Sequence, residues 1–340
     1  MNLESTYMGF RLRTPLVASA SPLTATVEGM KHLEEAGASA VVMPSIFEEQ
    51  LNGKFNDESW SLKHGIEPYP ASLSYLPSKE DYLISPESYL ERLREASNAL
   101  SIPVIASMSG DSPGEWLKFG SRLEVAGADA IELSLYDVPC DFNAAACEVE
   151  ETYIRLIGQL RREISIPLAV KVVPFFTSFP HFARRVVENG ADALVLFNQL
   201  FYANIDIEHG CYSTKFQWST PGEIDLSLRW ISMLSGQLQT SLAATGGAYS
   251  GMDVMKLICA GADVVMLCSS LIRNGMSRIG AIEKELTDWL EQHGHVSLGS
   301  LRGHLSMKEF PEAAAFQRAN YIWAIAQTAK REPTEVETEP

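Results

Sequence analysis

Lys171 is the charged residue in the least ordinary setting. It interrupts an otherwise apolar run, LAVKVV. Strand alternation puts Ala169, Lys171 and Val173 on one face and Leu168, Val170 and Val172 on the other. The branched face suits a covering helix layer, which turns Lys171 inward. A buried ammonium is costly unless paired. Its partner is either a structural carboxylate such as Glu132, inward by the same parity as Ser134 and Tyr136, or an anionic ligand or intermediate. Two further segments, Thr245-Gly246-Gly247 and Cys268-Ser269-Ser270, carry the chemistry of anion binding. Glycines let backbone N–H groups close on an anion and hydroxyls add donors, although a glycine pair also serves a tight turn. Asn198, ending ALVLFNQ, offers an amide to a planar heterocycle or caps its own loop. The seven histidines form no metal-type cluster, and no metal is expected.

What must position these residues is an internal repeat. AGASAVVM (Ala36–Met43), AGADAIEL (Ala126–Leu133), NGADALVL (Asn189–Leu196) and AGADVVML (Ala260–Leu267) share one pattern. Each has a glycine where a helix ends, a small or acidic residue, then a continuous apolar run of the kind parallel strands need when both faces are covered. Between them fall TPLVASA, SIPVIASM, SIPLAVKV and TSLAATGG, a second type of strand entry in which Pro is tolerated at the ladder's edge. Interleaved, they predict eight strands starting near 15, 40, 103, 130, 167, 193, 241 and 264, with helices such as Val27–Ala36, Pro86–Leu100, Glu115–Ala126 and Glu148–Glu163 in the gaps. This is the pattern of a (β/α)8 TIM barrel. An open doubly wound sheet is the runner-up, but no GxGxxG follows the first strand. Active-site residues then belong at strand C-termini, and the loops after strands seven and eight, where TGG and CSS fall, commonly hold a phosphate.

Two long excursions leave that same face: Phe47–Ser85, with Trp60, His64, Tyr69 and Tyr75, and the aromatic-rich Leu200–Glu223. Loops of this length read as lids or substrate walls, or as oligomer contacts. Residues 1–328 are expected to form one domain, and 329–340 an acidic, disordered tail.

The chain has 340 residues and a net charge of −16, from 27 Lys+Arg and 43 Asp+Glu. That balance excludes nucleic acid, which needs clustered cations, and fits an anionic membrane poorly. Five cysteines, odd in number and without CxxC spacing, read as reduced thiols of a cytoplasmic protein. The first residues, MNLESTYMGF, have no basic and no apolar region, so no signal peptide is expected, and no stretch of 18 consecutive apolar residues occurs.

These motifs, in this order, resemble the class 1 dihydroorotate dehydrogenases, FMN enzymes on a (β/α)8 barrel, from about Met8 to about Gly303. The resemblance implies FMN contacts at Ser19, Ala20 and Ser21 after strand one, and at Ser107 and Ser134 near the ends of strands three and four. It places Lys171 beside the flavin ring near N1 and Asn198 on flavin or substrate. Thr245, Gly246, Gly247, Cys268 and Ser269 then hold the flavin phosphate. A homodimer, a small-molecule substrate and a separate redox partner follow from the same likeness.

The departures fall at substrate positions. Where the family has Asn-x-Ser-Cys-Pro-Asn, this chain reads Ser134-Leu135-Tyr136-Asp137-Val138-Pro139. Asp137 stands at the position of the family's catalytic base, with Tyr136 and Cys140 in reserve. Pro44 replaces a lysine at the end of strand two, and Ala71–Ser78 replaces an Asn-rich substrate loop. The leading expectation is an FMN oxidoreductase acting on CH–CH groups, with Lys171 stabilising charge on the reduced ring and Asp137 exchanging a proton. The rivals are a Schiff-base lyase or aldolase acting through Lys171 on a phosphorylated substrate, and an FMN-binding module without catalysis.

Overall fold

The computed structural model describes residues 1–51, 84–200, 204–208, 211–213, 217–310 and 312–328. Eight parallel strands close into a barrel: β1 (Leu16–Ala18), β2 (Val41–Phe47), β3 (Val104–Ser109), β4 (Ala130–Ser134), β5 (Leu168–Val172), β6 (Ala193–Leu196), β7 (Ser241–Thr245) and β8 (Val264–Leu267). Each of the eight expected strand starts is met to within a residue. Helices α1 (Val27–Glu35), α2 (Pro86–Ala99), α3 (Phe119–Val125), α4 (Ala146–Glu163), α5 (Phe179–Glu188), α6 (Ile224–Leu234), α7 (Gly251–Ala260), α8 (Ser269–Asn274) and α9 (Arg278–Gln292) follow in chain order, and α10 (Ala313–Thr328) ends the described chain. The fold is a (β/α)8 TIM barrel. Among the described residues no helix is long and apolar enough to cross a membrane.

The repeat has a mechanical purpose beyond ending a helix. Gly37, Gly127, Gly190 and Gly261 all take φ between +97° and +120°, a conformation that costs L side chains free energy. The polar residue two positions later then caps a neighbouring strand entry. Ser39 Oγ accepts the Thr14 N–H at 2.9 Å, and a carboxylate oxygen of Asp129, Asp192 and Asp263 accepts the N–H of Val104, Leu168 and Leu242, each at 2.8 Å. Backbone donors at the barrel's N-terminal end are thereby paired every second strand.

Two apolar layers result. Leu168, Val170 and Val172 of β5 join the core between sheet and helices, while Ala169 belongs to the barrel interior with Val17, Val42, Ile105 and Val195. An N-terminal hairpin, Ser5–Tyr7 paired with Phe10–Leu12, plugs the interior from below with Tyr7, Met8 and Leu12. Its two-residue turn has Met8 and Gly9 at φ +49° and +86°, the backbone a tight hairpin needs.

β2 contains a bulge. Val42 pairs with Ile105, but Ser45 pairs with Ser107, so Met43 and Pro44 together face one residue of β3. The bulge leaves the Ser107 peptide short of partners, and the buried Tyr89 hydroxyl of α2 supplies both: it accepts from Ser107 N at 3.0 Å and donates to Ser107 O at 3.1 Å. Of the two excursions, residues 52–83 lie outside the described chain, with Trp60, His64, Tyr69, Tyr75 and the Ala71–Ser78 stretch; the second contains a short hairpin, Asn204–Asp206 with Cys211–Ser213. Residues 329–340 also lie outside it.

Candidate active site

The C-terminal strand ends enclose a cavity of about 370 Å³. Ser19, Ala20 and Ser21 enter it from the loop after β1, Ser134 and Lys171 from β4 and β5, and Asn198 from the loop after β6. Thr245, Gly246 and Gly247 line it after β7, and Cys268 and Ser269 after β8. Eleven of the sequence-predicted positions therefore converge on one volume, because all eight strands point the same way.

Lys171 meets the carboxylate foreseen for it. It faces the cavity, and its Nζ lies 3.7 Å from Glu132 Oε1, with the two side chains 9% and 1% exposed. Neither Glu132 oxygen has a hydrogen-bond partner among the described residues. The ion pair is thus the carboxylate's main compensation for leaving water. Opposite, burial pushes the Cys268 thiol up to about 11 while Lys171 pulls it down, so the thiol is neutral at physiological pH.

The loops after β7 and β8 are tied together by Ser219, which arrives from the excursion after β6. Its N–H and hydroxyl both reach Ser269 Oγ, at 3.1 and 2.9 Å, and Gly247 N donates to its hydroxyl at 3.2 Å. Tyr249 donates its hydroxyl to Ser219 O at 2.7 Å. Gly247 takes φ +77°, and a Cβ there would meet Ile224 N at 2.4 Å. Gly246 differs: at φ +87° nothing lies within 4 Å of where a Cβ would stand. The buried Ser270 hydroxyl, also on the cavity wall, has no partner among the described residues.

On the other side, Asn198 Nδ2 donates to Ser134 Oγ at 2.8 Å, fixing the amide over β4. Ser109 Oγ donates to Ser134 O at 3.1 Å and also lines the cavity. Two predicted residues sit elsewhere. Ser107 is fully buried and pairs with Ser45 Oγ at 2.7 Å; Ser45, not Ser107, forms the wall. Asp137 lines an adjoining cavity of about 480 Å³, and Tyr136 borders both. Cys140 is exposed and lines neither.

Ser45, Ser109 and Ser219 are the residues that sequence reasoning passed over. Ser109 follows from inward parity along β3. Ser45 could not, because the bulge at Met43–Pro44 reverses the parity beyond it. Ser219 precedes Thr220-Pro221-Gly222-Glu223, a capping-box signature in which Thr220 N donates to Glu223 Oε1 at 2.6 Å, and that signature marks where the excursion rejoins the barrel.

Fold and site together define a TIM-barrel protein with a cavity walled by glycine- and hydroxyl-bearing loops after β7 and β8 and by a lysine of β5. The sequence model of one family, dihydroorotate dehydrogenase, matches residues 2–290, and the chain belongs to that family. It is 24% identical over 305 residues to the dihydroorotate dehydrogenase B (NAD(+)) catalytic subunit of Pyrococcus abyssi, covering 88% of this chain and 98% of that one. It is 26% identical over 288 residues to the protein of the same name from Methanocella arvoryzae, covering 84% and 91%. The kinship is with oxidoreductases.

Proposed function

We propose that the 370 Å³ cavity holds FMN and that the protein is an FMN-dependent oxidoreductase acting on a CH–CH bond of a small substrate. One observation carries the reading: Lys171, paired below with Glu132, faces the same cavity as the two loops joined by Ser219. The residues present fit that cofactor. The open side of Gly246 and the unpartnered Ser270 hydroxyl suit a phosphate, alongside Thr245, Gly247, Cys268 and Ser269. The small side chains of Ser19, Ala20 and Ser21 leave room for a ring, with Lys171 and Asn198 at its polar edge.

FMN, when bound, supplies the hydride acceptor. The chain supplies the rest. Lys171 places a fixed positive charge where negative charge grows, in a walled site where such a charge acts strongly. Ser134 holds Asn198 in one orientation. Tyr136 borders the cavity and is the nearest candidate for exchanging the substrate proton; Asp137 stands behind it, across the wall. The names of the relatives, catalytic subunits of NAD(+)-linked enzymes, support a separate redox partner here, and the family likeness supports a homodimer in the cytoplasm. A Schiff-base reading has less support, since Lys171 Nζ is engaged with the Glu132 carboxylate 3.7 Å away.

The test begins with colour. A purified protein without flavin on mass analysis overturns the reading. With flavin present, Lys171→Ala should keep some flavin but lose at least tenfold in turnover; turnover at the unmutated rate removes the assigned role. Anaerobic bleaching by dihydroorotate decides whether that compound is a substrate.

A further inference from the structure

The last helix, α10 (Ala313–Thr328), is apolar and uncovered. Every residue from Arg318 to Gln327 is exposed. Phe316, Ile322, Trp323 and Ile325 are 39%, 59%, 64% and 52% exposed, and Phe310 joins them through its ring contact with Phe316 at 4.6 Å. A helix of this length is marginal in water by itself and takes its stability from packing an apolar face. Helical spacing assembles such a face. Ile322 lies in a row with Ala315, Ala319 and Ala326, Phe316 and Trp323 run along one edge, and Ile325 lies along the other. Gln317, Asn320 and Tyr321 fall on the far side.

Three observations choose the occupant. The first is area. At the exposures given, the large apolar side chains offer on the order of 600 Å² per copy, close to the share each partner contributes to a standard interface. The second is charge. The chain carries −16, so two copies repel where acidic faces meet, but α10 has no carboxylate and a single cation, Arg318. The third is shape: across a two-fold axis the low row of alanines and Ile322 meets its own copy, and the aromatic edges close over its sides. A lipid surface fits less well. Interfacial helices carry lysines and arginines on the polar face, where α10 has Gln317 and Asn320.

We propose that α10 is the surface on which a second copy of this chain docks, helix against helix. The segment lies beyond residues 2–290, which match the family, so the contact is an addition of this chain. It deepens the homodimer reading above and is independent of the flavin reading.

Sedimentation velocity of the full chain at micromolar concentration tests it. The parent should be a dimer that tightens as salt is raised, since salt screens the acidic repulsion and spares an apolar contact. Ile322→Glu combined with Trp323→Glu should weaken the dimer at least a hundredfold, with the melting temperature of the barrel unchanged. Gln317→Glu, on the far side, should leave the dimer intact. A dimer that survives the double substitution, or is lost equally in Gln317→Glu, overturns the α10 surface and leaves the homodimer standing. A monomeric parent overturns both. Flotation of the parent, but not the double variant, with phosphatidylcholine vesicles assigns the helix to lipid and overturns the proposal.

Discussion

Glu132 lies one inward layer below Lys171. Register pairs Glu132 with Ala169 and Ser134 with Lys171 across β4 and β5, and the two charges meet 3.7 Å apart. The carboxylate has no hydrogen bond to a described residue, so the lysine is what makes its burial tolerable. Removing one charge alone leaves the other stranded. Glu132→Gln and Lys171→Met should each lower unfolding free energy by about 3–5 kcal/mol, whereas the double variant should recover most of that loss. Urea melts of the three proteins check this, and additive losses would show that the pair is not coupled.

Tyr7 closes the barrel from below with its hydroxyl buried and unpartnered among the described residues. Burial, then Glu132 and Asp263, raise it well above 10.0. The folded state therefore holds this proton more tightly than the unfolded chain. The resulting stability is complete below pH 10.0 and declines as pH rises from there toward the folded value. Tyr7→Phe should be as stable as the parent or more stable, by about 1 kcal/mol at neutral pH, and should lose less above pH 10. Melts at pH 8 and pH 10.5 measure the difference; an equal alkaline loss in both proteins would remove Tyr7 from the account.

Ser219 bonds both the loop after β7 and the loop after β8, where the phosphate of FMN is proposed to sit. Ser219→Ala should weaken FMN binding by about tenfold, the equivalent of one net hydrogen bond, with little change in melting temperature. Gly247→Ala should do more, since the new methyl meets the Ile224 peptide nitrogen. Equilibrium dialysis of both variants gives the affinities, and an unchanged affinity in Ser219→Ala would mean that the loops hold their shape without it.

Cys140 and Cys147 are exposed, while Cys259 and Cys268 are partly covered and burial raises both of those thiols. Because the thiolate is the reacting form, iodoacetamide at pH 7.5 should label Cys140 and Cys147 before Cys259 and Cys268. FMN should slow labelling of Cys268 further without affecting Cys140. Peptide mapping over a time course shows the order.

Much of this was legible in the order of residues. Repeats of helix-ending glycine and apolar run disclose eight parallel strands, since each signal is local and recurs four times. Period 2 turns Lys171 inward without reference to any other strand. The glycine–hydroxyl loops follow from their place after the seventh and eighth strands. The acidic residue in three of the four repeats was visible, but its bond to a strand entry 21 to 25 positions earlier was not.

What the tertiary structure alone decided depends on contacts between distant segments or on a local break in alternation. The bulge at Met43–Pro44 turns Ser45 inward over Ser107, because one extra residue reverses every β2 side chain beyond it. Ser219 reaches Ser269 across 50 positions. Closure of the barrel brings Glu132 under Lys171, and Asp137, one residue past Tyr136, lines the adjoining cavity, whose carboxylates come from two separate elements. Sequence periodicity sets the direction of a side chain relative to its own strand; only the closed barrel sets what it meets.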